Sequence, residues 1–173
     1  MKNRILVVYA TRAGSAAEVA EFVGKALARQ GASVDVKPAR SVQSLADYSA
    51  VVAGSGIRAG QLYSDITGFV QRYKGELEKM PTAYFVECMT LKDDTAANRK
   101  TVEAYLEPLR ATVKPVAAGL FAGKMDYSKL GVFARFAVKN MVKVPEGDFR
   151  DWNAIEAWAA ALLPKLGAQP GAL

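Results

Sequence analysis

The sequence predicts an α/β protein built on a doubly wound parallel sheet. Short continuous apolar runs alternate with stretches of helical period, and a loop of small or polar residues follows each run. The length of 173 residues and the apolar share of 51% suit one folded domain over residues 1–173. In such a sheet, ligands bind beyond the carboxyl ends of the strands, so the loops that follow the strands are the candidate site.

The first strand and helix illustrate the pattern. Residues 5–9 form a continuous apolar run, which is typical of a strand covered on both faces. A helix is predicted next, because Ser15 and Glu18 have capping-box spacing and an apolar stripe continues until Gly31. The same reasoning predicts strands at 33–37, 50–53, 83–86 and 116–121, and helices from about Ser64, around 102–109 and after Asp151. Five strands in all are expected to alternate with helices, and the tail after residue 164 is predicted to be loose.

Composition excludes several kinds of chemistry. The chain has no histidine and a single cysteine, Cys88. A Ser-His-Asp triad, a His-ligated metal, an iron-sulfur cluster and an intramolecular disulfide are therefore excluded, and no metal site is expected. Redox chemistry in this protein requires an organic cofactor. No side chain is identified as a catalytic acid or base, so the catalytic residues stay unknown at this stage.

The first loop, residues 11–16, leads directly into the first predicted helix. Unpaired N–H groups and the peptide dipoles favour an anion at a helix N-terminus. Gly14 permits a close approach of the backbone, while Thr11 and Ser15 add hydroxyl donors and Arg12 adds positive charge. A phosphate is the predicted ligand, although a role of Ser15 as a simple helix cap fits the residues equally well. Neither a Walker motif nor a GxGxxG turn is present, which disfavours a nucleoside triphosphate or a dinucleotide.

Two further loops follow the third and fourth strands. The second loop, residues 54–63, contains Gly54, Gly56 and Gly60, which suit close contact with a flat ligand or an ordinary turn. The third loop, residues 88–91, is uncharged. Cys88 is interpreted as a small buried apolar side chain and receives no catalytic role.

A basic insertion occupies about residues 123–147. Arg135, Lys139 and Lys143 recur at every fourth position, with Val132 and Phe136 among them, opposite an apolar stripe. Two kinds of interpretation remain open. The insertion is a surface helix that docks on the sheet, or it contacts an anionic membrane surface, the anionic groups of a substrate or a membrane-bound electron acceptor. The net charge of +6 would allow binding to nucleic acid, but the sequence has no nucleic-acid-binding motif. Nucleic acid is therefore not expected as a partner.

The loops and the insertion resemble a known family. Residues 11–16, Thr-Arg-Ala-Gly-Ser-Ala, resemble the flavodoxin loop that binds the FMN phosphate, with Ala13 and Ala16 in place of two hydroxyl residues. Residues 55–60, Ser-Gly-Ile-Arg-Ala-Gly, resemble the second loop of the bacterial quinone-dependent protoporphyrinogen oxidases of flavodoxin type. The insertion and the Asp151-Trp152 pair resemble the closing segment of those enzymes. The resemblance covers nearly the whole chain and implies a flavodoxin-like fold with an insertion before the last helix.

The resemblance also implies a cofactor and an activity. FMN is expected with its phosphate on the first loop and its isoalloxazine between the second and third loops, where Tyr63 is the aromatic residue nearby. The activity implied is oxidation of a tetrapyrrole, with transfer of the electrons to a quinone. The implied cofactor-binding residues are Thr11, Arg12, Ala13, Gly14, Ser15, Ala16, Ser55, Gly56, Ile57, Arg58, Ala59, Gly60, Cys88, Met89, Thr90 and Leu91.

Two other functions remain compatible with the sequence. A flavodoxin-type electron carrier would share the fold, but the chain is basic, with a pI near 9.4, whereas flavodoxins are typically acidic. A partner-binding module that has lost FMN is suggested by Ala13 and Ala16. The sequence begins without a signal-peptide core, so we expect a cytoplasmic protein, peripheral on the inner membrane if the insertion binds lipid. Whether the chain forms a homo-oligomer is left open.

Overall fold

A computed structural model describes residues 4–167 of the chain. Its parallel sheet has the strand order β2-β1-β3-β5-β6, with the short β4 paired antiparallel to β3. The chain reverses its winding between β1 and β3, and this confirms the predicted doubly wound, flavodoxin-like arrangement. The strands are β1 Arg4–Ala10, β2 Ser33–Pro38, β3 Ala50–Arg58, β4 Gln61–Leu62, β5 Thr82–Cys88 and β6 Ala117–Ala122.

Helices cover both faces of the sheet. On one face, α1 and α7 pack against a core that includes Ile5 and Val7, while Leu6 and Val8 enter the core on the opposite face. Alternate residues of one strand thus serve two cores, which explains the continuous apolar run in the sequence. The helices are α1 Ser15–Arg29, α2 Ser64–Arg72, α3 Lys74–Leu77, α4 Ala96–Ala104, α5 Glu107–Thr112, α6 Val132–Ala137 and α7 Trp152–Leu162.

The start of α1 differs from the predicted capping box. Gly14, in the left-handed conformation with φ 95°, is the N-cap, and no side chain caps the helix. The Ser15 hydroxyl instead donates to the Glu87 carboxylate on β5. The capping-box prediction is therefore wrong, because a tertiary partner takes the Ser15 side chain. The cap predicted for α7 is confirmed, since the Ala154 amide donates to Asp151 Oδ1 at 3.0 Å.

The third strand is longer than predicted. Residues 54–58, which the glycines suggested as loop, continue β3 as far as Arg58. A Cβ on Gly54 would lie 1.9 Å from Phe85 Cζ, so this glycine makes room for a core ring rather than a turn. The helix predicted around 102–109 is divided into α4 and α5, with Pro108 in the first turn of α5. Beyond α7, Leu163–Leu166 form a 3₁₀ turn with buried leucines, and residues 168–173 of the predicted loose tail lie outside the described residues.

The insertion is held at its base by a two-stranded ribbon. In it, β7 Lys124–Met125 pairs antiparallel with β8 Gly147–Asp148. Between them, α6 continues into a π-helical turn, Val138–Val142. Phe133 is 92% exposed and Met141 is 77% exposed, so the apolar stripe of the insertion does not dock on the sheet. Among residues 4–167, no helix combines the length and apolar character needed to cross a bilayer.

Candidate cofactor site

The first loop joins β1 to α1 and leaves an opening at the helix N-terminus. The Gly14 amide donates to Thr11 Oγ1 at 3.0 Å, which closes the turn. A Cβ on Gly14 would meet no heavy atom within 4 Å. The first hydrogen bond within α1 runs from the Glu18 amide to the Gly14 carbonyl, so the amides of the first turn have no intrahelical acceptor. These amides border open space and can bind an anion.

Arg12 lies at the rim of this opening. Its guanidinium carbon is 5.6 Å from the centre of the Tyr63 ring, and its Nη1 is 4.0 Å from Asp65 Oδ2. Arg12 is thus directed toward the start of α2, and the space beside Gly14 stays open. Ala13 is also exposed, whereas Ala16 is fully buried. The first loop has two hydroxyl side chains, Thr11 in the turn and Ser15 in the first turn of the helix.

The second loop is held by internal hydrogen bonds. Ser55 is buried, its hydroxyl donates to the Gly56 carbonyl at 2.7 Å, and it accepts from the Tyr63 amide at 3.2 Å. Ala59 and Gly60 have φ of 50° and 74° and form the turn from β3 to β4. Ile57 is half-buried and Arg58 is exposed beside this turn. The loop therefore offers a hydrogen-bonded backbone edge next to the exposed cationic side chain of Arg58.

The third loop begins inside the sheet. Cys88 is the last residue of β5 and is buried. Its Sγ lies 3.3 Å from Thr90 Oγ1. Leu91 is buried in the core, whereas Met89 and Thr90 are half-buried. Among the third-loop positions suggested by the sequence, Met89 and Thr90 thus present side-chain surface, while Cys88 and Leu91 present little.

A second tyrosine lies at the second loop. A Cβ on Gly60 would be 3.6 Å from Tyr105 Cε1. The expectation that the aromatic neighbour is Tyr63 is therefore incomplete, because α4 brings Tyr105 to the same turn. Tyr63 packs against Gly56, and burial raises the pKa of its phenol. The Tyr63 phenol is neutral at physiological pH.

Glu87 is a buried acid directly beneath the first loop. It is 6% exposed and accepts a hydrogen bond from the Ser15 hydroxyl through Oε1. Its second oxygen, Oε2, has no hydrogen-bond partner among residues 4–167. Burial raises the pKa of Glu87 to about 7, against the lowering effects of Ser15 and Arg150.

Arg150 ties the end of the insertion to α1. Its side chain is 2% exposed, and it donates to Glu18 Oε2 at 2.7 Å and to Asp148 Oδ2 at 2.6 Å. Its Nη1 also donates to the Ser15 carbonyl at 3.3 Å, and its guanidinium lies 4.5 Å from the Trp152 ring centre. Arg150 therefore fixes the first turn of α1 from below.

Sequence reasoning missed Glu87 and Arg150 as parts of this site. The sequence did mark Glu87, because it is a carboxylate inside an otherwise apolar strand, and acidic side chains are rarely buried unless they are paired. No signal marked Arg150, whose contacts with α1 join distant parts of the chain. In the part of the chain that the structure describes, no group of three or more acidic, cysteine or histidine side chains is arranged to hold a metal ion.

A doubly wound sheet with an anion-binding helix terminus at its switch point defines a mononucleotide-binding α/β protein. The sequence matches the flavodoxin domain family over residues 6–151, and the chain belongs to that family. Its cofactor is FMN. The residues fit this group, since the space beside Gly14 is open, the first-turn amides of α1 have no intrahelical acceptor and, among residues 4–167, Oε2 of the buried Glu87 has no hydrogen-bond partner.

Two relatives carry the same name. The chain is 28% identical to protoporphyrinogen IX dehydrogenase [quinone] of Leishmania major, over 93% of this chain and 76% of the relative. It is 23% identical to the protein of that name from Escherichia coli strain K12, over 90% of this chain and 92% of the relative. Among solved structures, oxidised Flavodoxin 1 from Bacillus cereus superposes with a TM-score of 0.57 at 13% identity, covering 93% of this chain and 97% of that chain. That likeness shows the shared fold.

Proposed function

We propose that this protein is an FMN-dependent oxidoreductase that oxidises a porphyrinogen-class tetrapyrrole and passes the electrons to a quinone. The names of the two relatives and their coverage support this proposal. The structural observation that carries it is the insertion, whose base lies at the carboxyl edge of the sheet and which carries the exposed Phe133 and Phe136. Exposed apolar surface of this kind marks an interaction site, and a large apolar substrate or acceptor fits it.

The insertion starts beside the third loop. A Cβ on Gly123 would lie 3.3 Å from the Met89 amide nitrogen, and the Phe149 amide donates to the Gly123 carbonyl at 3.1 Å. The entry and the exit of the insertion therefore meet at the carboxyl edge of the sheet. A tetrapyrrole or quinone held by the insertion would be next to the cofactor loops.

When bound, FMN would supply the chemistry for hydride removal and for two-electron transfer. The substrate loses this hydride together with a proton, and the quinone gains two electrons and two protons. The protein binds and orients the reactants. Arg58 presents an exposed guanidinium beside the second loop, which suits a substrate carboxylate. Tyr63 and Tyr105 supply aromatic surface at the same loop.

The insertion also supports contact with an anionic membrane on the cytoplasmic side. Phe133, Phe136 and Met141 are exposed, as are Lys139 and Lys143. Apolar side chains enter the lipid interface, while each nearby lysine adds about 1 kcal/mol of attraction to anionic lipid. A membrane-bound quinone would then be within reach of the site.

Anaerobic reduction tests the activity. FMN-loaded protein is mixed with protoporphyrinogen without oxygen, and the flavin absorbance is followed before and after addition of menaquinone. The proposal expects bleaching by the tetrapyrrole and recovery of absorbance with the quinone. A flavin that stays oxidised with protoporphyrinogen, yet cycles with a reductase, would instead establish an electron carrier.

Vesicle binding tests the membrane contact. Flotation with phosphatidylcholine vesicles, with and without phosphatidylglycerol, compares the wild type with Lys139→Glu/Lys143→Glu. Arg135 is left in place, because its Nε donates to the Tyr127 carbonyl at 2.9 Å and holds the insertion together. Two charge reversals are expected to weaken binding by at least about thirtyfold, at about 1 kcal/mol for each lost lysine.

A matched control separates the insertion from net charge. Lys25→Glu/Lys100→Glu makes the same charge change at exposed positions on α1 and α4. This control is expected to bind anionic vesicles far better than the insertion variant. Equal loss in the two variants would show a general charge effect, and negligible binding of the wild type would refute the membrane proposal.

A further inference from the structure

The carboxyl group of Glu87 is enclosed between α1 and β3. Ser15 donates its hydroxyl hydrogen to Oε1, and a Cβ on Gly56 would lie 3.5 Å from the same oxygen. The residue is 6% exposed, and Oε2 has no partner among the residues described. An unsatisfied, buried acid oxygen therefore lies at the first turn of α1, where the FMN phosphate binds.

Counting hydrogens shows a conflict between an ionised Glu87 and a bound phosphate. The Ser15 hydroxyl has one hydrogen, which the carboxylate already accepts. Ser15 can donate to a phosphate only if Glu87 stops competing for that hydrogen. A neutral Glu87 removes the competition, since its own O–H can donate to Ser15 or to the phosphate. It also removes the repulsion between two anions in a site with little water.

We propose that FMN binding to this protein takes up a proton, which Glu87 holds while the phosphate occupies the first loop. The affinity for FMN then falls as the pH rises above neutrality. Riboflavin lacks the phosphate, so its affinity does not fall. The proposal rests on the FMN assignment and adds a proton linkage that depends on this acid.

The other charged groups around Glu87 do not relieve the conflict. Arg150 already donates to Glu18, to Asp148 and to the Ser15 carbonyl. Glu18 and Asp148 both raise the pKa of the Glu87 carboxyl, in the same direction as the dominant effect of burial. Among residues 4–167, Lys124 Nζ lies 3.8 Å from Glu18 Oε1, Arg12 is directed toward Asp65, and the nearby Tyr63 phenol is neutral.

Flavin binding at several pH values tests the proposal. Apoprotein is titrated with FMN and with riboflavin between about pH 6 and about pH 9, and the dissociation constants are obtained from flavin fluorescence. For the wild type, the FMN affinity is expected to fall by up to tenfold for each pH unit above about pH 7. Glu87→Gln keeps the size of the side chain but cannot titrate. Its FMN affinity is therefore expected to stay constant over the same pH range.

Glu21→Gln is the matched control, because it removes an equal charge at an exposed position on α1, away from the contacts of Glu87 and Arg150. It is expected to retain the pH dependence of the wild type. The second ionisation of the phosphate, near pH 6, is common to all variants and is nearly complete above pH 7. Parallel FMN curves for the wild type and Glu87→Gln would overturn the proposal, as would an equal fall for riboflavin.

Calorimetry of the wild type gives a second readout that does not depend on the folding of a variant. FMN and riboflavin are titrated at about pH 8 in two buffers with different ionisation enthalpies. Net proton uptake with FMN and none with riboflavin is the expected result, and zero uptake with FMN overturns the proposal. Failure of both flavins to bind would overturn the cofactor assignment as well, whereas FMN binding without the proton linkage overturns this inference alone.

Discussion

Replacing Glu87 by glutamine should change how the stability of the apoprotein depends on pH. The folded protein holds the Glu87 proton until about pH 7, whereas the unfolded chain releases it near the ordinary pKa of 4.5. Between these two values the folded state binds more protons than the unfolded state. The free energy of unfolding contributed by Glu87 is therefore fully present below pH 4.5 and is lost as the pH rises through about 7.

The expected size of this loss follows from the two pKa values. One pKa unit corresponds to about 1.36 kcal/mol, so a pKa raised from 4.5 to about 7 corresponds to about 3 kcal/mol. Burial is the main cause, and Glu87 is 6% exposed, so solvent screening reduces the effect little. Glutamine places a neutral amide in the same space and removes this loss at every pH.

Urea unfolding at about pH 5 and about pH 8 measures the difference. Groups such as Asp148, whose pKa is lowered by its hydrogen bond from Arg150, contribute in the opposite direction in both proteins. The comparison therefore uses the stability of Glu87→Gln minus that of the wild type, which should increase by about 2 to 3 kcal/mol from the lower to the higher pH. Glu21→Gln, at an exposed position on α1, should show no such increase. A constant difference between Glu87→Gln and the wild type would show that Glu87 titrates normally and would refute the reasoning.

Two further predictions use the same unfolding assay. Gly54→Ala places a methyl group 1.9 Å from Phe85 Cζ and should destabilise by about 2 kcal/mol or more, whereas Gly68→Ala, on an exposed turn of α2 with open space around it, should stabilise slightly. Equal effects would contradict the packing argument. Arg150→Met removes buried, charge-assisted hydrogen bonds and should cost about 2 kcal/mol, while Arg29→Met removes an exposed ion pair and should cost less than about 1 kcal/mol. If Arg150→Met lowered the free energy of unfolding no more than Arg29→Met, burial of Arg150 would not strengthen its hydrogen bonds.

Local patterns were sufficient for the architecture, and they indicated the loops that are proposed to form the site. Apolar runs and helical stripes predicted the five parallel strands and the helices between them, because burial on two faces leaves a direct record in the order of residues. The boundaries were less predictable. Gly54 resembles a loop residue until the Phe85 ring is known to lie against it, and Pro108 alone did not reveal where the helix is divided.

The chain by itself determined the fold class and the need for an organic cofactor, and it predicted the first loop as the place for a phosphate, since these depend on period, composition and a local turn. Only the tertiary structure decided that Ser15 donates to Glu87 rather than capping a helix, that Arg150 supports the same turn, and that Tyr105 meets the second loop. It also decided that the insertion exposes its aromatic residues. The physical reason is that these features join side chains far apart in sequence. Their hydrogen bonds and protonation depend on burial and on the geometry of the partners, which no local pattern records.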